Sequence, residues 1–265
     1  MEIHEIFCKT ALSSSTLPGL TYSLNPYRGC QHNCAYCYAP NVLRVPREQW
    51  GDCIEIKTNI SEVLARELKA KKPGIVGIST VTDPYQPLER TYSVTRSCLE
   101  QLVTSKFPAH IQTKSALVTR DIDLLSRFFD TQVMMSIGTL NDKERSLLEP
   151  CTSPIPERLN ALRMLTDAGI KTAVFFGPVY PTITLDDIPL ILERFIEAGV
   201  SEIWVDRLNL KPGIWEHVQK KLIQNRDLQH LFFINVFQNK NYYQEIRKEI
   251  HQQGRERNLC IVDAF

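Results

Sequence analysis

Eight cysteines occur in this 265-residue chain, and three of them crowd into one short segment. The segment reads Asn25-Pro26-Tyr27-Arg28-Gly29-Cys30-Gln31-His32-Asn33-Cys34-Ala35-Tyr36-Cys37-Tyr38-Ala39-Pro40. Thiolates that close in sequence converge on one soft metal centre when the backbone loops around it. Gly29 lets the chain turn tightly beside the first ligand, and Pro26 and Pro40 stiffen the ends of the loop. The number three is informative. A closed structural zinc site takes four protein ligands, and a cubane cluster in an electron carrier takes four cysteines. Three cysteines on a four-iron cube leave one iron open to an outside ligand, and an open metal position marks a reactive site. The competing reading is a Cys3His zinc site, with His32 joining Cys30, Cys34 and Cys37. Such a knuckle stabilises its own loop but explains no larger scaffold behind it.

Further polar groups sit just after apolar runs. Thr80-Val81-Thr82-Asp83-Pro84-Tyr85 follows the run Gly74–Thr80. A carboxylate there suits an ammonium or a ribose hydroxyl, although Asp-Pro is also an ordinary turn. Lys114 ends the run His110–Lys114. Behind a buried strand its ammonium needs an anionic partner, unless it snorkels to solvent. Ser136 closes Gln132–Ile137 and is either a ligand contact or a core serine bonded to backbone. Arg145, Glu149 and Arg158 bracket a loop and suggest a structural ion pair. Arg120-Asp121 reads as a helix-start acid beside a surface arginine. Tyr180, in a proline-framed turn, and Asp206-Arg207-Leu208-Asn209 end the next two runs.

The elements that position these groups follow from periodicity. Short apolar runs at 20–25, 74–80, 110–114, 132–137, 171–177 and 201–208 predict strands. Patterns of period near four predict helices at 61–71, 93–105, 121–129, 155–168, 186–198, 214–224 and 242–252. Asn59, with Glu62 reaching back, predicts a cap for the first of these. Gly169 and Gly199 close two others. The tail predicts a strand within 230–237 and another at 260–262. Strand–helix alternation repeated about six times, with strands apolar on both faces, predicts a parallel sheet wrapped by helices. A full eight-unit barrel takes ~250 residues, and the front fifth of this chain is irregular. A partial (β/α)6 barrel over residues 21–265 behind an irregular N-terminal extension, residues 1–20, fits better. Ligands in such folds sit at the C-terminal ends of the strands.

Composition sets the outer limits. Lys and Arg number 31 against 30 Asp and Glu, a net charge of +1, so no global field gathers nucleic acid or an anionic membrane. The hydrophobic content of 43% is that of an ordinary globular chain. No apolar stretch approaches the ~18 residues of a membrane span, and Met1–Glu5 lacks the basic start of a signal peptide. The expected compartment is the reducing cytoplasm, where cysteines are thiols or metal ligands. Cys98 and Cys260 read as small buried apolar residues.

The spacing Cys30-x3-Cys34-x2-Cys37, with Tyr36 just before the last cysteine, resembles the signature of the radical S-adenosylmethionine (SAM) superfamily. The wider string NPYRGCQHNCAYCYAP resembles its spore photoproduct lyase-like branch. The resemblance implies a [4Fe–4S] cluster on the three cysteines, with SAM chelating the fourth iron. It implies reductive cleavage of SAM to methionine and a 5′-deoxyadenosyl radical, which takes a hydrogen atom from a substrate in a lyase-like or transferase-like reaction. A flavodoxin- or ferredoxin-type partner would supply the electron. Tyr36, Thr82, Asp83, Lys114 and Ser136 fall where this branch binds SAM, Lys114 and Ser136 at its methionyl end. A nucleic-acid base is one substrate class, weakly supported by the basic segments Lys69–Lys72 and Arg255–Arg257. A small molecule or a peptide is the other. The branch carries a hydrogen-donor cysteine just ahead of the Thr82-Asp83 pair. Here none stands there, which leaves Cys8, Cys53, Cys151 or no cysteine for that role.

Overall fold

The computed structural model describes residues 1–264. The chain opens with strands β1 (Glu2–Ile6), β2 (Leu12–Ser14), β3 (Tyr22–Leu24) and β4 (Tyr27–Arg28). The cysteine loop leads to the short helix α1 (Ala39–Leu43) and strand β5 (Cys53–Lys57). Alternation then begins: α2 (Ile60–Leu68), β6 (Val76–Ile78), α3 (Glu89–Tyr92), α4 (Val94–Ser105), β7 (Ala109–Thr113), α5 (Ile122–Leu125), β8 (Thr131–Ser136), α6 (Asp142–Leu148) and α7 (Ile155–Asp167). The last third holds β9 (Lys171–Phe176), α8 (Ile188–Glu197), β10 (Glu202–Val205), α9 (Ile214–Leu222), α10 (Arg226–Phe233), α11 (Tyr242–Glu256) and β11 (Cys260–Asp263).

The main sheet runs β11-β10-β9-β8-β7-β6-β3-β2. Every pair from β3 to β11 is parallel, and β2 adds an antiparallel edge. The six expected strands are all present and consecutive in the sheet, with β11 as a seventh. The sheet does not close, because β2 and β11 are its two edges. Helices bury one stripe each, as their spacing predicts: Ile60, Val63, Leu64 and Leu68 on α2, and Ile188, Ile191, Leu192 and Phe195 on α8. Burying each such side chain contributes roughly 1.5–3 kcal/mol.

Strand register divides the sheet into two faces. Ile111, Val133, Met135, Val174 and Ile203 lie in the core under the helices. The alternate residues line the open face. Gln112 pairs in register with Met134, and Ser136 with Phe175, itself opposite Trp204. Gln112 is exposed, and Met134, Phe175 and Trp204 are half-buried.

Several sequence expectations are corrected. The lead-in residues carry β1 and β2. Strand β1 pairs in parallel with β5, and β5 also pairs with β4, in a separate three-stranded sheet. Asn59 stands at the N-cap position of α2, but its side chain makes no capping hydrogen bond there. Its side chain accepts from the Cys8 N–H at 2.8 Å and donates to the Cys8 carbonyl at 3.0 Å, which ties down the N-terminal segment. The predicted strand at 230–237 is helix α10 running into a π-turn, Ile234–Gln238. Asn225 caps it through the Leu228 N–H, and Leu228 and Phe232, four apart, take the buried side. The predicted helix 121–129 shrinks to α5, preceded by a 3-10 turn. Asp121 is fully buried and accepts from Tyr85, Arg96 and Arg120, because the helix-start acid faces inward toward cations rather than outward. Cys98 is buried as expected, but Cys260 is exposed, since it begins an edge strand.

Candidate active site

The cysteine loop lies at the C-terminal end of the parallel strands. Its turn depends on Gly29, whose φ of +87° lies in the left-handed region. Any Cβ there would stand 2.4 Å from the Cys53 carbonyl oxygen. The loop is then pinned from the β6 side. Gln86, fully buried, accepts from the Gln31 N–H at 2.8 Å and donates to the Gly29 carbonyl at 3.4 Å. Arg47 donates to the Cys37 carbonyl at 2.8 Å.

Cys30 and Cys34 are buried and Cys37 half-buried. Burial pushes all three thiols upward in pKa. Specific donors oppose that: the backbone N–H groups of His32 and Asp83 favour the Cys30 thiolate, and those of Ala39 and the Trp50 indole favour the Cys37 thiolate. The positive charge of a bound metal centre would offset the desolvation of the thiolates as their protons leave.

The grouping of the ligand atoms bears on the zinc reading. A single zinc with Zn–S of about 2.3 Å holds two sulfurs no more than about 4.6 Å apart. Among the described residues, no trio drawn from Cys30, Cys34, Cys37 and His32 has its ligand atoms within 4.8 Å of one another. The His32 ring is also turned elsewhere, with Nδ1 3.2 Å from Oδ2 of Asp83. The Cys3His zinc reading does not fit this geometry.

Asp83 is buried and its carboxylate is engaged on every side. Oδ1 accepts from the Tyr85 N–H at 2.9 Å and the Thr113 hydroxyl at 2.7 Å, and Oδ2 accepts from the Lys114 N–H at 2.8 Å. Burial alone would raise its pKa, but His32, the Lys114 N–H and the Thr113 hydroxyl outweigh it and bring the value to about 2. Asp83 therefore ties the cysteine loop to the ends of β6 and β7. Beside it, the Thr82 hydroxyl is buried without a partner.

The Lys114 ammonium sits 5.8 Å from the Tyr36 ring centroid. Desolvation disfavours its charge, but the Cys34 thiolate and the Glu149 carboxylate more than compensate, so its pKa rises. Tyr36 donates to Glu149, which Arg158 clamps at 2.5 Å. The expected structural pair is thus Glu149–Arg158, while Arg145 serves Asp142 at 2.8 Å. Arg158 also donates to the Ser136 carbonyl at 2.8 Å, and the Ser136 hydroxyl accepts from Gln112 at 3.2 Å. Tyr180 packs edge-on to Tyr36, with 6.1 Å between centroids. Lys114, Tyr36 and Ser136 are thereby joined through Glu149 and Arg158.

Two buried hydroxyls, Ser79 Oγ and Thr82 Oγ1, lack a hydrogen-bond partner among the described residues. Both lie just after β6, in the segment packed beside the cysteine loop. Orphaned polar groups are rare in folded proteins and call for an explanation. Their concentration here is what a site completed by a bound group requires. Trp50, Arg47 and Gln86 are functional neighbours that sequence reasoning missed. Only Gln86, in the polar stretch after β6, had a signal, namely its position at a strand end.

The model of the family described as the radical SAM superfamily matches residues 24–195. An uncharacterised protein of Methanocaldococcus jannaschii is 28% identical over 98% of both chains. A radical SAM Nalpha-GlyT isomerase of Pseudomonas phage M6 is 29% identical over 68% of this chain and 38% of its own. A spore photoproduct lyase, solved with a dinucleoside spore photoproduct, superposes with a TM-score of 0.74 at 15% identity. That superposition covers 99% of this chain and 82% of the lyase.

Proposed function

The chain belongs to the radical SAM superfamily, and on that premise we propose that it takes a hydrogen atom from a nucleic-acid base held over the open face of its sheet. It is a radical SAM enzyme with a partial-barrel fold, and its cofactors are a [4Fe–4S] cluster and SAM. When bound and reduced, the cluster supplies the electron that splits SAM into methionine and a 5′-deoxyadenosyl radical.

The chain's own residues divide the remaining work. Cys30, Cys34 and Cys37 hold the cluster, and N–H donors from Ala39, Trp50, His32 and Asp83 stabilise their thiolates. Lys114 receives the methionyl carboxylate. Its ammonium makes no ion pair with a described carboxylate within 4.0 Å, yet it is held charged by its surroundings. Tyr36 and Glu149 fix the position of that ammonium, and Thr82 and Ser136 offer hydroxyls to the same ligand. Asp83 acts as a positioning residue. A flavodoxin- or ferredoxin-type protein delivers the electron.

The observation that carries the cofactor reading is the gathering of Cys30, Cys34 and Cys37 on one loop beside the unpartnered Ser79 and Thr82 hydroxyls. A base as substrate is supported by the open face, where the Gln112 amide and the Phe175 and Trp204 rings suit a planar, hydrogen-bonding ligand. The dinucleoside in the name of the lyase complex points the same way. Among the described residues no helix is long and apolar enough to cross a membrane, and the cytoplasm is the proposed compartment.

The test is anaerobic reconstitution followed by reductant and SAM. 5′-Deoxyadenosine is the expected product, and its absence from an iron-loaded, folded protein removes the reading. Incubation with deuterated oligonucleotides should then carry label into the deoxyadenosine. Label only from deuterated peptides or small metabolites would transfer the substrate assignment to that class.

A further inference from the structure

A second constellation lies on the small N-terminal sheet. Among the described residues, Glu2, His4 and Cys53 form the one group of three whose ligand atoms all lie within 4.8 Å of one another. Strand register explains why. In the parallel β1–β5 pair Glu2 stands opposite Cys53, and His4 opposite Glu55. Alternate residues share a face, so all four project from the same side, while Ile54 and Ile56 bury the other. Glu55 is engaged across the next strand by Arg28 at 3.4 Å. Glu2, His4 and Cys53 are left to one another.

His4 Nε2 and Glu2 Oε2 are 3.5 Å apart. That is long for a hydrogen bond. It is close to the edge, about 3.4 Å, of a tetrahedron of ligands set about 2.1 Å from zinc. Imidazole nitrogen, carboxylate oxygen and thiolate sulfur form a borderline donor set, which suits zinc and disfavours calcium or magnesium. We propose that Glu2, His4 and Cys53 bind one zinc ion, with water as the fourth ligand. Binding releases the Cys53 thiol proton to solvent and moves no electron. The ion fastens β1 to β5. The Cys53 carbonyl is also the atom against which Gly29 turns the cysteine loop, so the same clamp backs the loop that carries Cys30. The site stands independently of the substrate reading.

The experiment uses the iron-loaded protein equilibrated with buffered zinc. Elemental analysis should give one zinc per chain in the wild type. Cys53→Ala, His4→Ala and Glu2→Gln should each lose zinc at the same free concentration while keeping their iron. Glu2 and His4 are exposed, so these variants should fold, and unchanged urea midpoints of the zinc-free proteins would confirm it. The zinc absorption edge should show one sulfur neighbour with nitrogen and oxygen. Equal zinc in wild type and in the His4→Ala/Cys53→Ala double variant would overturn the site. So would a shell of three sulfurs, which would place the zinc on Cys30, Cys34 and Cys37.

Discussion

Glu149 and Arg158 meet at 2.5 Å with both side chains shut away from solvent. Arg158 uses the same guanidinium to hold the Thr152 hydroxyl and the Ser136 carbonyl. Removing one partner leaves the other charge buried and uncompensated, which typically destabilises by about 3–5 kcal/mol. Glu149→Gln and Arg158→Met should each lower the urea midpoint accordingly, and the double variant should lose less than the sum. Burial favours the protonated acid, but Arg158 and Lys114 overcome it and depress the Glu149 pKa. Its stabilisation is therefore full above the ordinary glutamate value and drains away as pH falls below it. Midpoints for wild type and Glu149→Gln should converge on acidification. Parallel pH profiles would show that the carboxylate is not ionised in the fold.

Cys30→Ala, Cys34→Ala and Cys37→Ala should each give colourless protein after anaerobic reconstitution. His32→Ala should retain about four irons per chain, since a cubane takes its protein ligands from cysteine. Loss of iron in His32→Ala equal to that in the cysteine variants would return His32 to the ligand set.

The cysteine loop and the six parallel strands were legible because their signals are local. Three thiols at short spacing and continuous apolar runs both declare themselves within a few residues. The small sheet was not read, although Cys53-Ile54-Glu55-Ile56-Lys57 alternates as a half-buried strand should. Its partner, Glu2–Ile6, lies some fifty residues away, and its pairing has no local mark. The tail failed for a different reason. Leu231-Phe232-Phe233-Ile234 is an apolar run that periodicity alone assigns equally to a strand or a helix. Only the Asn225 cap and the packing of Leu228 and Phe232 settle it as helix. The hydrogen-bond set of Asp83 was not legible, because its four neighbours come from three separate segments.

Gly29→Ala tests the loop turn. A left-handed φ of +87° combines with a Cβ 2.4 Å from the Cys53 carbonyl oxygen, a backbone atom that cannot rotate away. Strain of both kinds should destabilise by more than about 1 kcal/mol. Cluster loading should fall with it, because Cys30 is the next residue. Wild-type iron content and an unchanged thermal midpoint would show that the turn adapts.

Lys114→Met keeps much of the side chain's length and removes its charge. A hydrogen bond to a charged group contributes about 1.5–3 kcal/mol. SAM binding to the iron-loaded variant, read by equilibrium dialysis, should weaken roughly ten- to a hundredfold. Iron content should not change. Undiminished affinity would remove Lys114 from the SAM site.

Asp206 directly follows β10, half-buried, with the Asn209 amide 3.3 Å from its carboxylate. Burial pushes its pKa up to about 6, and the Arg207 backbone and charge only partly restrain the shift. An acid raised in the folded state binds its proton more tightly there than in the unfolded chain. Its contribution is present below the ordinary aspartate pKa, declines as pH rises, and is lost once pH passes about 6. Asp206→Asn lacks this loss, because asparagine is neutral throughout. The variant's stability advantage over wild type should therefore open between about pH 4 and 6 and stay level above pH 7. Urea midpoints of the pair across that range measure it directly. An advantage that is constant with pH would mean that Asp206 titrates as an ordinary exposed acid, in surroundings wetter than its burial implies.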